Sequence, residues 1–244
     1  MKNRRVVVTG LGVVSSVGIG KDEFWKSIIS GRSGISKVSS FDTTGLRCHN
    51  AGEIKNFNPE DFIPKRKIQF LGRTSQLAIA STSLAFKDAG LSSKDISKNR
   101  SGVFIGTTMG EKPLAESIDV WVKEGASKIS KAKILQSSAN NIPANIAMHF
   151  KLRGPNYLIP TACAAGNYAI GYGFDFIRRG HLDYAIAGGA DAFSELAFIG
   201  FHRIYAMAKE KCQPFDKNRK GMMVGEGAGI LLLESLESAL ERDA

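Results

Sequence analysis

Short β-branched runs alternate along this chain with stretches whose apolar positions recur every three to four residues, a pattern that predicts strands interleaved with helices. In residues 4–9 the run Val6-Val7-Val8 ends at Gly10, predicting a buried strand that enters a turn. Residues 21–30 set Phe24, Trp25, Ile28 and Ile29 at helical spacing, and Gly31 closes that helix. Residues 33–64 show no period and are punctuated by Gly34, Gly45, Gly52 and Pro59, which predicts loop with short elements. The spacing predicts a helix over 73–89, a buried strand over 102–106 and a helix over 113–124 whose first turn accommodates Pro113. Residues 137–150 read as a helix that Pro143 bends or restarts.

Beyond Gly154 the pattern is denser. A strand is expected over 156–159, a turn at Thr161-Ala162-Cys163, and a long helix over 164–179 that stops before Gly180. Residues 184–187 form another expected strand, ending at Gly188-Gly189, and residues 229–233 a further one leading into a helix from Ser235. This order implies an α/β fold with a largely parallel sheet covered on both faces. No internal repeat or low-complexity segment is visible, and residues 1–244 are enough for one large α/β domain or two small ones.

Composition adds limits. The chain has 244 residues, 43% of them hydrophobic, enough for a core without disulfides. Cys48, Cys163 and Cys212 are odd in number, far apart and without the CxxC spacing of a zinc site, so a reducing cytoplasm is expected, with no metal or cofactor. Lys2, Arg4 and Arg5 before the valines imitate a signal peptide, but Thr9, Gly10 and Gly12 break the apolar run. No stretch approaches the roughly 18 apolar residues of a membrane span. The formal charge of +10 predicts attraction to an acidic partner. The cations fall singly or in short groups such as Lys65-Arg66-Lys67 and residues 128–133, without the dense blocks and interleaved aromatics of a nucleic-acid groove, so nucleic acid is not expected.

Two motifs invite chemistry. Gly10-Leu-Gly12-Val-Val-Ser15 follows a strand and imitates a dinucleotide fingerprint, but Ser15 replaces the third glycine and no acidic residue closes a second strand about 20 residues on. A plain tight turn explains these glycines. Cys163 is different: it stands between a β-rich run and a helix, with Ala162, Ala164, Ala165 and Gly166 as small neighbours. A thiol there faces unsatisfied backbone N–H groups and the positive end of a helix dipole, a setting that suits a thiolate nucleophile. Its small neighbours permit a sharp strand-to-helix turn of the nucleophile-elbow kind. Cys48 and Cys212 read as inert thiols.

With Cys163 in place, an ordered series of motifs carries a resemblance over essentially the whole chain. Residues 5–12 (RVVVTGLG), Ser33-Gly-Ile35, Leu152-Arg-Gly-Pro155, residues 161–166 (TACAAG), residues 187–190 (AGGA), Pro214-Phe-Asp216 and residues 225–229 (GEGAG) resemble the successive signatures of β-ketoacyl-acyl-carrier-protein synthases, most closely the synthase I/II branch. The resemblance implies the amino-terminal half of a thiolase-like, five-layer αβαβα architecture with a mostly parallel mixed sheet, working as a homodimer or heterodimer of condensing subunits. It implies that Cys163 accepts an acyl chain from an acyl carrier protein and that a decarboxylative Claisen condensation with a malonyl-carrier thioester follows. The Cys163 amide would be one oxyanion-hole donor. Met109 and Phe201 match positions lining the acyl pocket; Lys65, Arg66, Lys67, Lys128 and Arg203 lie near positions that meet the acidic carrier protein.

The resemblance also implies a His-Gly-Thr motif, a Gly-His motif and a supporting lysine in a carboxyl-terminal half. His49, His149, His181 and His202 fit neither motif. His149 reads as a satisfied core or edge group and His181 as a helix cap. The chain is therefore expected to be inactive in condensation by itself, and an end that falls within a helix is expected to mark a fragment of a longer synthase rather than a split subunit. Two other readings compete: a chain-length-factor-like partner, disfavoured because Cys163 is retained, and a thiolase-type acyltransferase.

Overall fold

A computed structural model describes residues 4–111 and 113–244. In chain order the strands are β1 (Val6–Ser15), β2 (Gly18–Ile19), β3 (Ser36–Lys37), β4 (Asn50–Ala51), β5 (Ser101–Gly106), β6 (Asn156–Ile159), β7 (Tyr184–Asp191) and β8 (Gly227–Ser235). The helices are α1 (Lys21–Ile29), α2 (Lys65–Ile68), α3 (Arg73–Asp88), α4 (Ser93–Lys98), α5 (Pro113–Glu124), α6 (Lys131–Gln136), α7 (Asn141–Phe150), α8 (Ala165–Arg178), α9 (Glu195–Arg203) and α10 (Leu236–Glu241). Six strands form one sheet in the order β2-β1-β8-β7-β5-β6, and β3 pairs with β4.

Four strands, β1, β5, β6 and β7, run one way, while β8 opposes both of its neighbours and β2 opposes β1. The sheet is thus mixed with most strands parallel. Alternation of side chains sends Val103, Ile105, Ile186, Ile230 and Leu232 to one face, where α3 and α7 cover them with Leu77, Ile79, Ile142 and Ile146. The other face presents Phe104, Ala185, Ala187 and Leu233 to Ala169 and Ile177 of α8. Each fully buried Ile or Phe contributes roughly 1.5–3 kcal/mol relative to its exposed state. Helix, sheet and helix make three layers.

Several elements extend beyond the sequence expectation, each for a physical reason. The first strand does not stop at Gly10 but continues to Ser15, so Gly10 and Gly12 are not a turn. They sit under α3: a Cβ on Gly12 would stand 1.8 Å from the Ser81 carbonyl oxygen, so only glycine lets helix and strand approach this closely. Likewise β7 runs through Gly188-Gly189 to Asp191. Pro143 restarts rather than bends its segment, because α7 begins at Asn141 and proline falls in the first turn, where no intrahelical N–H bond is lost. The short helix α4 is held by a capping box between Ser92 and Asp95.

The end of the chain is tied into the sheet. Glu234 is fully buried and accepts hydrogen bonds from Thr9 and from the Arg242 guanidinium, which also donates to the Ala89 carbonyl at the end of α3. Among the described residues no helix is long and apolar enough to cross a membrane.

Candidate active site

Strands β5 and β7 end side by side, with Gly106 paired to Gly189, and this edge receives the turn that carries Cys163. Strand β6 ends at Ile159 beside Gly106, a single 3-10 turn spans Ala162–Ala164, and α8 starts at Ala165. Ala162 has φ 51°, left-handed backbone that costs a non-glycine residue energy, so the chain turns sharply just before the nucleophile. Cys163 is exposed, whereas Cys48 is buried with its thiol toward the Met207 carbonyl. Cys212 is exposed as well. The small residues of TACAAG explain the close seating: a Cβ on Gly106 would meet the Ala165 carbonyl carbon at 2.2 Å and the Gly166 nitrogen at 2.4 Å.

The segment leaving β5 passes over this edge. Its conformation is set by Asp191, the last residue of β7, whose carboxylate accepts from the Thr107 hydroxyl (2.7 Å), the Thr108 amide (2.9 Å) and the Met109 amide (2.9 Å). Next in sequence, Glu111 is buried and turns inward to the start of α3, accepting from the Ser75 amide at 3.0 Å and from the Ser75 hydroxyl. Its Oε2 is buried without a partner, and burial pushes its carboxyl up to about 7 against the opposing hydrogen bonds from Ser75 and Thr74. Sequence reasoning missed Asp191 and Glu111. The available signal was a lone acid directly after a small, buried strand (AGGAD) and another after a glycine that ends a loop.

Met109 lies in this segment, partly exposed at 37%, just past the strand end that adjoins the Cys163 turn. Phe201 sits on α9, which follows β7 closely, and packs half-buried against the cluster of Phe193, Phe198 and Met207. Met109 thus follows β5, Phe201 follows β7 and the Cys163 turn follows β6, three neighbouring strands of the sheet.

The five cations expected to meet a carrier lie on three separate elements. Lys65, Arg66 and Lys67 are exposed on α2, Lys128 is exposed at the turn before α6, and Arg203 is exposed at the end of α9. Lys65 makes a loose 3.6 Å pair with Glu60. These are solvent-facing charges, free to engage a partner without first breaking a buried contact.

The four histidines make hydrogen bonds or ring contacts. His49 shares a 3.0 Å hydrogen bond with Thr43, and His202 accepts the Arg47 amide at 2.9 Å, pinning α9 to the loop that carries β4. His149 packs edge-on to Phe150, but its Nδ1 is buried without a partner, so it is not the satisfied group the sequence predicted; burial and nearby Lys67 lower its affinity for a proton. The end of α8 is capped by backbone, with Gly180 at φ +75° and the His181 amide on the Phe176 carbonyl, and the His181 ring packs on Phe176 instead of capping.

Comparison with known proteins places this geometry. A family profile described as the β-ketoacyl synthase N-terminal domain matches residues 3–239. The 3-oxoacyl-[acyl-carrier-protein] synthase 2 of Synechocystis is 34% identical, over all of this chain and 61% of that protein, and the synthase of the same name from Staphylococcus aureus N315 is 36% identical over all of this chain and 60% of its own. The chain thus spans about 60% of the length of these curated relatives. Among solved structures, the ishigamide ketosynthase/chain length factor superposes with a TM-score of 0.95 at 40% identity, over 99% of this chain and 61% of that one. A type II polyketide ketosynthase in complex with its acyl-carrier protein and bound to a hexaketide superposes with a TM-score of 0.83 at 30% identity, over 99% of this chain and 60% of that one.

Proposed function

This chain belongs to the β-ketoacyl synthase family, matching its N-terminal domain along nearly the whole length, and on that premise we propose that it is the nucleophile-bearing part of a condensing enzyme in fatty-acid or polyketide synthesis. The observation that carries the proposal is Cys163: exposed, directly after a left-handed alanine, in the 3-10 turn that leads into α8 and at the shared edge of β5, β6 and β7.

In the proposed reaction the Cys163 sulfur attacks the carbonyl of an acyl-carrier thioester. The carrier thiolate leaves with the bonding pair, and the acyl group stays on Cys163 as a new thioester. The oxyanion that forms is proposed to lie near the Cys163 amide, in the 3-10 turn that feeds α8. A malonyl-carrier thioester then loses carbon dioxide, the freed electron pair attacks the acyl-cysteine carbonyl, and Cys163 leaves as thiolate. Decarboxylation in the family uses two histidine motifs and a lysine that the four histidines here do not supply, so this chain is proposed to perform acyl transfer and to need the remaining portion of such a synthase for condensation.

Incubation with octanoyl-acyl carrier protein, in the presence of a synthase carboxyl-terminal half, is expected to add one octanoyl group at Cys163, read by peptide mass spectrometry and lost in Cys163→Ala. Acylation absent in both proteins, or falling on Cys212, rules the proposal out.

Carrier docking is proposed at Lys65, Arg66, Lys67, Lys128 and Arg203. Reversing Lys65, Arg66 and Lys67 together to glutamate is expected to weaken carrier binding about tenfold or more, chiefly through a slower on-rate. The deficit should shrink as salt is raised, because the Debye length falls from about 10 Å at 0.1 M to about 3 Å at 1 M. Equal binding by variant and parent in calorimetry at low salt would place the carrier elsewhere. Met109 and Phe201 are proposed to line the acyl pocket, and a second condensing subunit is proposed as the dimer partner. The ketosynthase/chain length factor likeness leaves a non-catalytic pairing role as a second reading, which acylated Cys163 excludes.

A further inference from the structure

Residues 107–110, which leave β5 next to the strand that feeds the Cys163 turn, are held by side-chain hydrogen bonds. Asp191 Oδ1 takes three donors, the Thr107 hydroxyl at 2.7 Å and the Thr108 and Met109 amides at 2.9 Å, and Oδ2 takes the Thr108 amide at 3.1 Å. The Thr107 hydroxyl in turn accepts the Gly110 amide at 3.0 Å. From α3, the Thr74 hydroxyl donates to the Gly110 carbonyl at 2.7 Å and accepts the Ala192 amide, next to Asp191, at 3.2 Å. Four successive residues are therefore tied to the end of β7, directly or through Thr74, and the central tie is one carboxylate.

Among the described residues the Asp191 carboxylate is met by hydroxyl and amide donors of this one segment and by no ion pair. Charge-assisted bonds of this kind are the strong ones, and three on one oxygen fix a backbone rather than merely decorate it. The residue whose amide closes the set is Met109, whose side chain remains partly exposed.

We propose that Asp191 is a positioning residue that fixes Met109 against the Cys163 turn and thereby sets which acyl lengths Cys163 accepts. The inference rests on the functional reading above, because it presumes that Met109 faces the acyl group carried by Cys163. Asp191→Asn keeps the shape and, with its carbonyl oxygen in the Oδ1 place, can keep the three donors, but it removes the charge that strengthens those bonds and the second acceptor of the Thr108 amide, so the segment is loosened without a cavity.

The test uses two alkylating probes on the full chain, iodoacetamide and N-octyl iodoacetamide, in which the Cys163 sulfur displaces iodide and the thiol proton passes to solvent. The readout is the ratio of their second-order rate constants at Cys163, followed by peptide mass spectrometry, in the parent, Asp191→Asn, Met109→Gly and the double variant. Asp191→Asn is expected to shift the octyl preference at least about threefold toward that of Met109→Gly, and to shift it no further once Met109 is glycine, the non-additivity of residues acting through one contact. A role in folding alone would slow both probes together and leave the ratio unmoved.

An unchanged ratio in Asp191→Asn, or an additive shift in the double variant, overturns the inference while Cys163 alkylation stands. Preferential alkylation of Cys212, with Cys163 unreactive in the parent, would overturn the functional reading itself. Should Asp191→Asn fail to fold, Thr107→Val removes one donor from the same carboxylate, and the same comparison with Met109→Gly decides.

Discussion

One added methyl group at residue 106 is expected to destabilise the chain by about 3 kcal/mol, the upper part of the range for overpacking a tight site, and to slow alkylation of Cys163. Gly106 ends β5, and a Cβ there would lie 2.2 Å from the Ala165 carbonyl carbon and 2.4 Å from the Gly166 nitrogen, both backbone atoms. Backbone cannot swing aside as a flexible side chain does, so either β5 or the first turn of α8 must move. Since Cys163 sits in the turn feeding α8, the same displacement that costs stability misplaces the nucleophile. Gly171, within α8, is the control: a Cβ there meets nothing within 4 Å, so Gly171→Ala is expected to stabilise by about 0.5–1 kcal/mol through helix propensity. Urea unfolding of the two variants, with iodoacetamide labelling of Cys163, checks both; equal midpoints for Gly106→Ala and the parent would refute the close seating of α8 on the strand ends.

The features legible in the sequence are those that depend on local pattern. Residues 184–187 announced a buried strand because apolar side chains are needed on both faces of a covered sheet, and 164–179 announced a helix because its apolar positions repeat with the helical period. Cys163 was legible because a nucleophile at a strand-to-helix turn demands small neighbours, and these are visible as TACAAG. The bounds of β1 were not legible, since Gly10 and Gly12 look like a turn locally and their reason, the passage of α3 overhead, lies more than 60 residues away in Ser81 and Ala85. The place of β8 between β1 and β7, running against both, was hidden for the same cause: pairing partners are a tertiary fact. Asp191 and Glu111 escaped notice because a single acid gains meaning only from the donors brought to it, and Thr107 is 84 residues from Asp191 along the chain.

That dependence on tertiary context makes Glu111 the strongest expected source of pH-dependent stability near neutrality. Its partners are the Ser75 hydroxyl and the Ser75 and Thr74 amides, none of which supplies a compensating positive charge, and burial raises its carboxyl from an ordinary 4.5 to about 7. Between these two values the folded chain holds a proton that the unfolded chain has released, so stability falls as pH rises through the interval. At 1.36 kcal/mol per pKa unit the loss between pH 4.5 and pH 8 is about 3 kcal/mol. His149 acts in the opposite sense, since burial holds it below its ordinary value and its contribution makes stability rise with pH up to about 6.5. Parent and variant share that term, so their difference isolates Glu111. Glu111→Gln keeps an acceptor for Ser75 but cannot ionise, and its curve of unfolding free energy against pH is expected to lack the decline, leaving the variant the more stable protein at pH 8. Urea denaturation at pH 5, 6, 7 and 8 decides: parallel curves would mean that Glu111 is ionised at no unusual cost, and that the inward turn of the Thr107–Glu111 segment onto α3 is looser than its buried, unpartnered oxygen implies.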